Sequence, residues 1–395
     1  MAHRYVGLII GVFLVSAGLS GSLLAWKDAI EVAVNPELQR ASPPTVGAQA
    51  LDPLTLRERV LARHHGASIP DVPLATAPGR SAEFFLEWPD AGAAPHDEDV
   101  FVDPFTGEEL GSRHWGDMAQ GRKNLVPFLY RLHYSLASGI VGNYLFGLVA
   151  LLWTLDCFVG LCISLPAARA HAGLRGAPSA IARWASTWTV RRHGGTYKRV
   201  FDLHRAGAMW LWAMLFVFAW SAVSFNLREV YRPVMGALFD HQPNALPPAT
   251  ATPSRSAPDW RSARERGREL MQQEAQQRHF VVRQEASLGY DDEADAFCYD
   301  VRSSLDVGGQ DGRTRVCFDA RSGARLGAWL PTGAARGDTL DAWLTVLHRA
   351  RLGGAPYRVF VSALGLAVAA LAASGLFIWW RKRRGRLAVA RLRAR

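Results

Sequence analysis

The sequence lacks the short motifs that mark several common enzyme classes. It contains no Walker loop, no strand-borne G-x-G-x-x-G and no His-Glu-x-x-His. These absences argue against a built-in site for ATP, NAD or a flavin, and against a zinc protease.

Cysteine is also scarce, with 4 residues in 395. Cys157 and Cys162 lie within an apolar run, where we expect them to act as small packing residues. Cys298 and Cys317 lie in two strand-like stretches joined by a Gly-rich turn. An oxidising compartment would permit a cross-strand disulfide there, but the sequence does not fix the strand register and leaves the pairing open.

Acidic residues are outnumbered, with 35 Asp and Glu against 45 Lys and Arg, which gives a formal net charge of +10. The excess is concentrated in two short segments, residues 167–203 and the tail 381–395, and each adjoins an apolar run. We therefore interpret the positive charge as a membrane-topology signal and expect no nucleic acid as a partner.

Four long apolar runs dominate the composition. They cover residues 5–26, 143–165, 206–227 and 357–380. A helix needs about 20 apolar residues to cross about 30 Å of hydrocarbon. The first run is too long for the core of a signal peptide, and no clear cleavage site follows it, so we predict that this helix is retained. The positive-inside rule then places both termini and both basic segments in the cytoplasm, with two long loops outside.

The two outer loops contain the same motif, Asp-x-x-Thr/Ser-Gly-x-x-Leu-Gly, which starts at Asp103 and again at Asp319. The Asp oxygen can accept backbone donors and Gly tolerates positive φ, so the motif predicts a hairpin turn. A helix-like stretch lies upstream of each turn, at 54–65 and 260–277. Each loop is therefore predicted to be a small α+β domain with one helix and a short antiparallel sheet.

Four histidines lie at the mouths of the four apolar runs and repeat in the same order as the runs. His3 and His204 open the first and third runs, and His133 and His348 precede the second and fourth. We infer two parallel repeats related by an axis along the membrane normal, which brings equivalent residues to the same depth. The natural pairs are then His3 with His204 and His133 with His348, although pairing within one repeat stays open. Two facing histidines are what a six-coordinate haem iron needs.

The chain resembles the bacterial PepSY-associated transmembrane family, which includes inner-membrane ferric-siderophore reductases and other iron-regulated membrane proteins. The matching stretches cover nearly the whole chain. They include His3-Arg-Tyr-Val-Gly-Leu, Asp103-Pro-Phe-Thr-Gly-Glu, Leu132-His133-Tyr-Ser-Leu, Leu203-His204-Arg, Leu347-His348, Gly353-Gly-Ala-Pro-Tyr-Arg358 and Gly375-Leu-Phe-Ile-Trp-Trp-Arg-Lys-Arg.

The resemblance implies two b-type haems and the reduction of ferric chelates on the periplasmic side. The histidines at the four helix-mouth positions would be the axial ligands of the two haem irons: His3, His204, His133 and His348. Because the sequence has no Cys-x-x-Cys-His, both haems would be held without a covalent bond.

We therefore expect an all-α membrane core of four transmembrane helices in two parallel repeats, with two small α+β PepSY-like periplasmic domains. The predicted segments are helix 1 (1–26), the first periplasmic domain (27–132), helix 2 (133–166), a basic cytoplasmic loop (167–203), helix 3 (204–227), the second periplasmic domain (228–347), helix 4 (348–380) and a basic cytoplasmic tail (381–395).

The expected function is electron transfer across the bacterial inner membrane during iron uptake. Electrons from a separate cytoplasmic or membrane donor would enter at the His3/His204 haem and cross to the His133/His348 haem. They would then reduce a ferric siderophore or other ferric chelate outside. The lipid bilayer is the remaining expected partner.

Several alternatives stay open at this point. Asp156, about midway along the second run, could relay a proton or could be a neutral carboxyl bonded to a neighbouring helix. His171 or His193 of the cytoplasmic loop could replace His3 as a ligand. The chain could also be an anchored PepSY module that binds a periplasmic partner, or a transporter of a siderophore or ion that uses Asp156.

Overall fold

A computed structural model describes residues 2–88, 98–166, 180–191, 193–246, 259–308 and 312–393. Its helices, in chain order, are α1 (Ala2–Leu24), α2 (Lys27–Val34), α3 (Pro36–Gln39), α4 (Pro53–Arg63), α5 (Leu125–Ser135), α6 (Gly139–Ser164), α7 (Ala180–Ala185), α8 (Thr196–Asn226), α9 (Arg228–Leu238), α10 (Trp260–Arg278), α11 (Arg336–His348) and α12 (Ala355–Arg393). Its strands are β1 (Asp71–Pro73), β2 (Ala82–Leu86), β3 (Glu98–Val102), β4 (Glu109–His114), β5 (Val282–Asp291), β6 (Ala296–Ser303), β7 (Thr314–Asp319) and β8 (Arg325–Trp329).

Four of the described helices are long and apolar enough to cross a membrane: α1, α6, α8 and α12. Each of them contains nearly all of one of the four apolar runs of the sequence. A helix satisfies every interior backbone group within its own segment, which suits such apolar stretches to a lipid environment.

The four long helices pack mainly as two couples, α1 with α12 and α6 with α8. Within the first couple, a Cβ added at Gly18 would lie 2.5 Å from the Gly365 carbonyl oxygen. Next to this contact the Ser22 hydroxyl donates to the Ser362 carbonyl at 2.9 Å. Small residues thus bring the first and last long helices of the chain into close contact.

The helical conformation is interrupted before α6 and before α12. Leu136 and Ala137 adopt positive φ after α5, and Ala350 and Gly353 do so after α11. Each interruption separates a short helix from the long helix that follows it. His133 on α5 and His348 on α11 therefore precede the long helices and are not part of them.

The two loop segments, 27–132 and 228–347, each contain strands and several helices, and the two segments are joined. One sheet has the order β2-β3-β4, and the other has the order β1-β5-β6-β7-β8. Strand β1, from the first segment, pairs antiparallel with β5 of the second, with Val72 opposite Leu288. Leu54 and Val60 of α4 share one buried core with Leu270 of α10. The sequence had suggested one sheet for each loop and gave no sign of this shared sheet.

The predicted Asp-Gly turns form in both segments. Asp103 Oδ1 accepts from the backbone nitrogen of Phe105 at 2.7 Å, and Asp319 Oδ1 accepts from that of Ser322 at 2.7 Å. Gly107 and Gly323 have φ values of 72° and 65°. The motif therefore acts as predicted, by combining a side-chain acceptor with a left-handed glycine.

The disulfide that the sequence left open is present. Cys298 on β6 lies directly opposite Cys317 on β7, and the two form a disulfide across the strand pair. The register of this strand pair therefore decides the question.

Candidate functional site

The structure brings the four helix-mouth histidines together as two pairs. The ring centroids of His3 and His204 lie 6.2 Å apart. Those of His133 and His348 lie 6.3 Å apart. Each pair takes one imidazole from each half of the chain, which is the pairing that the repeat interpretation predicts.

The two pairs lie near opposite ends of the helical bundle. His3 lies at the start of α1, and Ser20 of the same helix contacts His133. These two positions are 17 residues apart, which corresponds to about 25 Å along a helix. That distance covers most of the hydrocarbon thickness of a bilayer, which is about 30 Å.

Each ring of the second pair, His133 and His348, makes a hydrogen bond between Nδ1 and a serine hydroxyl. The Ser20 hydroxyl lies 2.9 Å from His133 Nδ1 and donates its proton to the Ser16 carbonyl at 2.7 Å. In the same way, the Ser221 hydroxyl lies 2.6 Å from His348 Nδ1 and donates to a backbone carbonyl of its own helix. With each hydroxyl donating to its own helix, Nδ1–H of each histidine is assigned as the donor, an assignment that leaves Nε2 with its lone pair.

Nδ1 of each ring in the first pair, His3 and His204, also makes hydrogen bonds, but with different partners. His3 Nδ1 donates to the Asp156 carboxylate, at 2.9 Å to Oδ2 and 3.0 Å to Oδ1. His204 Nδ1 lies 3.1 Å from the Leu371 carbonyl and 2.9 Å from the Ser374 hydroxyl. Ser374 also donates to the Leu371 carbonyl, so His204 Nδ1–H is again the donor.

All four imidazoles are therefore arranged as metal ligands usually are. A ligating histidine typically donates its second ring N–H to a carboxylate, a carbonyl or another acceptor, which orients the ring. With a metal–imidazole bond of about 2.0–2.1 Å and about 1.1 Å from the ligating nitrogen to the ring centre, two axial rings have centroids about 6.2–6.4 Å apart. Both observed separations fit the spacing of two imidazoles on opposite sides of one iron.

A cavity of about 460 Å³ surrounds the His133/His348 pair. Side chains of α1, α6, α8 and α12 line its body, including Phe13, Phe146 and Val368. Cofactor sites commonly measure about 300–1,000 Å³ and have mainly apolar walls with a few polar groups. The cavity thus has the size and the mainly apolar lining of a cofactor site, and both histidines are part of that lining.

Small and aromatic neighbours hold the rings in place. A Cβ at Gly21 would lie 3.0 Å from His133 Cε1, so glycine lets this ring lie close against α1. The His348 ring lies between Phe218 and Phe225, at centroid distances of 4.8 and 5.1 Å. These contacts restrict the rotation of both outer rings.

The structure also gives the positions of two of the other residues that the sequence suggested, Asp156 and His193. Asp156 lies beside His3, so its carboxylate belongs to the first histidine pair. His193 is exposed, and the ring facing His204 is that of His3. His171 lies outside the described residues.

Sequence reasoning missed Ser20 and Ser221. The signal was available, because each serine follows the histidine at the start of its helix by 17 residues, Ser20 after His3 and Ser221 after His204. A search for equal offsets from the repeated histidines would have found them.

A further group of potential metal ligands lies in the second loop segment. Ligand atoms of His241, Asp338 and Asp341 lie within 4.8 Å of one another. Asp338 is buried and accepts from His241 Nδ1 at 3.1 Å, and the Tyr231 hydroxyl donates to Asp341. Burial raises the pKa of Asp341. These contacts already account for the geometry of the cluster.

Comparison with known proteins places the whole architecture in one family. No curated protein matches this chain. The family model described as the PepSY-associated TM region matches residues 1–382, a range that includes both histidine pairs and both loop segments. Together with the four long apolar helices, this match identifies a membrane protein. The chain belongs to the PepSY-associated transmembrane family.

Proposed function

We propose that this protein binds two b-type haems and transfers electrons across the bacterial inner membrane to a ferric siderophore or other ferric chelate in the periplasm. The observation that supports this most strongly is the pair of histidine couples, with centroid separations of 6.2 and 6.3 Å, near opposite ends of one apolar bundle. The proposed orientation has both termini in the cytoplasm, in accord with the basic segments that adjoin the apolar runs.

In this proposal the chain's own residues hold, orient and insulate the cofactors. His3 and His204 would be the ligands of the cytoplasmic site, and His133 and His348 those of the periplasmic site. The acceptors at Nδ1 keep each ring in the tautomer whose Nε2 can bind iron. Bis-histidine ligation leaves no open position on iron, which suits electron transfer and not oxygen binding.

Each haem, when bound, supplies a reversible one-electron Fe(III)/Fe(II) couple, and the protein sets its potential through ligands, burial and hydrogen bonds. The substrate iron gains one electron that a separate donor supplies. Ferrous iron is a softer ion of lower charge and is held less tightly by hard oxygen chelators. Reduction would therefore release the iron for uptake.

An absorption spectrum of the protein purified with a haem supply tests the proposal. We expect two haems per chain and a sharp α-band on reduction. His133→Ala or His348→Ala should remove one haem and leave the other, because the two pairs share no residue. His3→Ala or His204→Ala should remove the opposite one. His65→Ala, at an exposed position in the first loop segment, is the matched control and should keep both.

A colourless protein that is folded by circular dichroism would contradict the haem assignment. The chain would then be better explained as an anchored module that binds a periplasmic partner. Proteoliposome flux that depends on Asp156 in such a haem-free protein would favour a transporter. Ferric-chelate reduction that persists after loss of either haem would contradict the proposed path across the membrane.

A further inference from the structure

The cavity around His133 and His348 is strongly basic at one end. Its described lining includes five cationic side chains, Lys27, Arg228, Arg349, Arg351 and Arg358. Asp28 is the one carboxylate among the described lining residues. The described lining therefore contains five cationic side chains and one acidic side chain.

These cations lie where the helices end, and the apolar lining lies between the helices. Lys27 follows the end of α1, and Arg228 follows the end of α8. Arg349 and Arg351 lie in the turn after α11, and Arg358 lies in the first turn of α12. The cavity is thus amphiphilic, with an apolar body around the histidines and a cationic rim.

The cations are partly buried and crowd one another. Burial lowers the pKa of Lys27, Asp28 opposes this effect, and the nearby Arg351 lowers the pKa further. Burial also lowers the pKa of Arg351, with Arg358 adding to the effect and Asp28 opposing it. Partly desolvated like charges are unfavourable unless an anion enters among them. The rim is therefore suited to a ligand that is apolar at one end and anionic at the other.

We propose that Arg351 and Arg358, with Lys27 and Arg228 beside them, bind the two propionate carboxylates of the periplasmic haem. This inference rests on the proposed function. Haem has an apolar macrocycle and two carboxylates on one edge, which matches the distribution of apolar and cationic groups in the cavity. Arginine–carboxylate pairs are among the strongest hydrogen-bonded pairs in proteins.

The second half of the chain contributes more cations to the rim than the first half, and this difference should give the haem one orientation. Counted from His133 and His348, Arg351 and Arg358 of the second half correspond to Leu136 and Asn143 of the first. By contrast, Lys27 and Arg228 are equivalent, since each follows its serine, Ser20 or Ser221, by seven residues. The additional cations thus come from the second half, and the propionates should point towards the start of α12.

The test compares haem with its dimethyl ester, in which both propionates are uncharged. His204→Ala removes the cytoplasmic site, so the full-length protein in detergent has one site to titrate. Dissociation constants from the Soret band should show the ester binding about ten-fold more weakly than haem or worse. Arg351→Gln with Arg358→Gln should weaken haem binding by about ten-fold and change ester binding by less than about two-fold. Arg283→Gln, exposed on β5, is the control and should change neither constant.

Equal affinity for haem and ester, with both bound, would overturn the propionate assignment and leave the proposed function intact. Equal weakening of both ligands by the arginine substitutions would also overturn it, because charge would then not be the cause. If neither compound binds, the proposed function itself fails, and this inference fails with it.

Discussion

At the scale of single residues, the two histidine pairs differ mainly in Asp156. Three of the four rings donate from Nδ1 to a neutral oxygen, while His3 donates to a carboxylate. Counted from His133 and His348, Asp156 of the first half corresponds to Leu371 of the second. The carboxylate is therefore specific to one pair, and in the proposed di-haem protein it should make His3 the most electron-rich of the four proposed ligands.

Asp156→Asn should raise the midpoint potential of one haem by tens of millivolts and leave that of the other in place. A carboxylate at Nδ1 favours ferric iron by adding negative charge to the ligand, and the amide removes that charge. A weaker hydrogen-bond acceptor at His3 Nδ1 should also lower haem affinity at this site by about 10–100-fold. Redox titration followed at the α-band measures both midpoints. Cys162→Ala, an exposed position on the same helix, is the control.

Equal movement of both potentials would contradict the assignment of Asp156 to the His3/His204 site. An unchanged pair of potentials would show that the carboxylate does not act on the ligand at all.

At the scale of helices and strands, the sequence predicted most of what is local. The four apolar runs, the helices near 54–65 and 260–277 and the two Asp-Gly turns each depend on neighbouring residues, and all are present. The pairing of β1 with β5 was not predictable, because β1 has three residues and its partner lies more than 200 positions away. The repeat of histidine positions made the pairs predictable, and the equal offsets of Ser20 and Ser221 mark them as equivalent, but their contact with His133 and His348 depends on helix packing.

Glu285 on β5 connects helix α10 and strand β6 through ion pairs and a hydrogen bond. Arg268 and Arg264 of α10 and Tyr299 of β6 all donate to its carboxylate. Burial would raise the pKa of Glu285, but these hydrogen bonds outweigh it and lower the pKa to about 2. The group therefore stabilises the fold above its ordinary pKa of 4.5, and this contribution is lost as the pH falls from 4.5 towards 2.

Glu285→Gln should lower the free energy of unfolding at pH 7 by about 1–2 kcal/mol, a figure reduced for solvent screening. The difference between variant and parent should shrink below pH 4.5, since the parent then loses the same interaction. Thermal unfolding at pH 7 and pH 3, with the disulfide intact, provides the measurement. Glu293→Gln, exposed in the turn after β5, should match the parent at both values. If the stability difference between Glu285→Gln and the parent grew on acidification, it would contradict a stabilising role for the ionised Glu285 carboxylate.

The close contact between α1 and α12 leads to a testable prediction about helix packing. A Cβ at Gly365 would lie 2.4 Å from Ser22 Oγ and 2.5 Å from the Gly18 carbonyl oxygen. Gly365→Ala should therefore separate the helices and destabilise the bundle by about 1–3 kcal/mol, seen as a lower Tm in detergent. Gly7→Ala, where a Cβ meets nothing within 4 Å, should have little effect. An unchanged Tm for Gly365→Ala would mean that the two helices are not held at this distance.

At the scale of the whole molecule, the halves of the chain depend on each other at every level. Each histidine pair takes one ring from each half, and α1 packs on α12 while α6 packs on α8. Strand β1 completes a sheet that otherwise belongs to the second half. Arg264 of α10 also donates to Asp52, which caps α4, at 2.6 Å. Neither half therefore contains a complete histidine pair, and the five-stranded sheet needs a strand from each half.

A chain cut between residues 166 and 180 tests this dependence. Residues 1–166 or 180–395 expressed alone should bind no bis-histidine haem, because each half holds one imidazole of every pair. Co-expression of the two halves should restore the reduced α-band. The contacts between the halves described above are non-covalent and involve no residue between 166 and 180, so they can form after the chain is cut. The two halves should also co-purify through a tag on one of them. As a control, His348→Ala in the second half should abolish one haem of the reassembled protein and keep the other. A single half that shows the full spectrum would mean that histidines pair within a repeat, and the geometry of both sites described above would then be wrong.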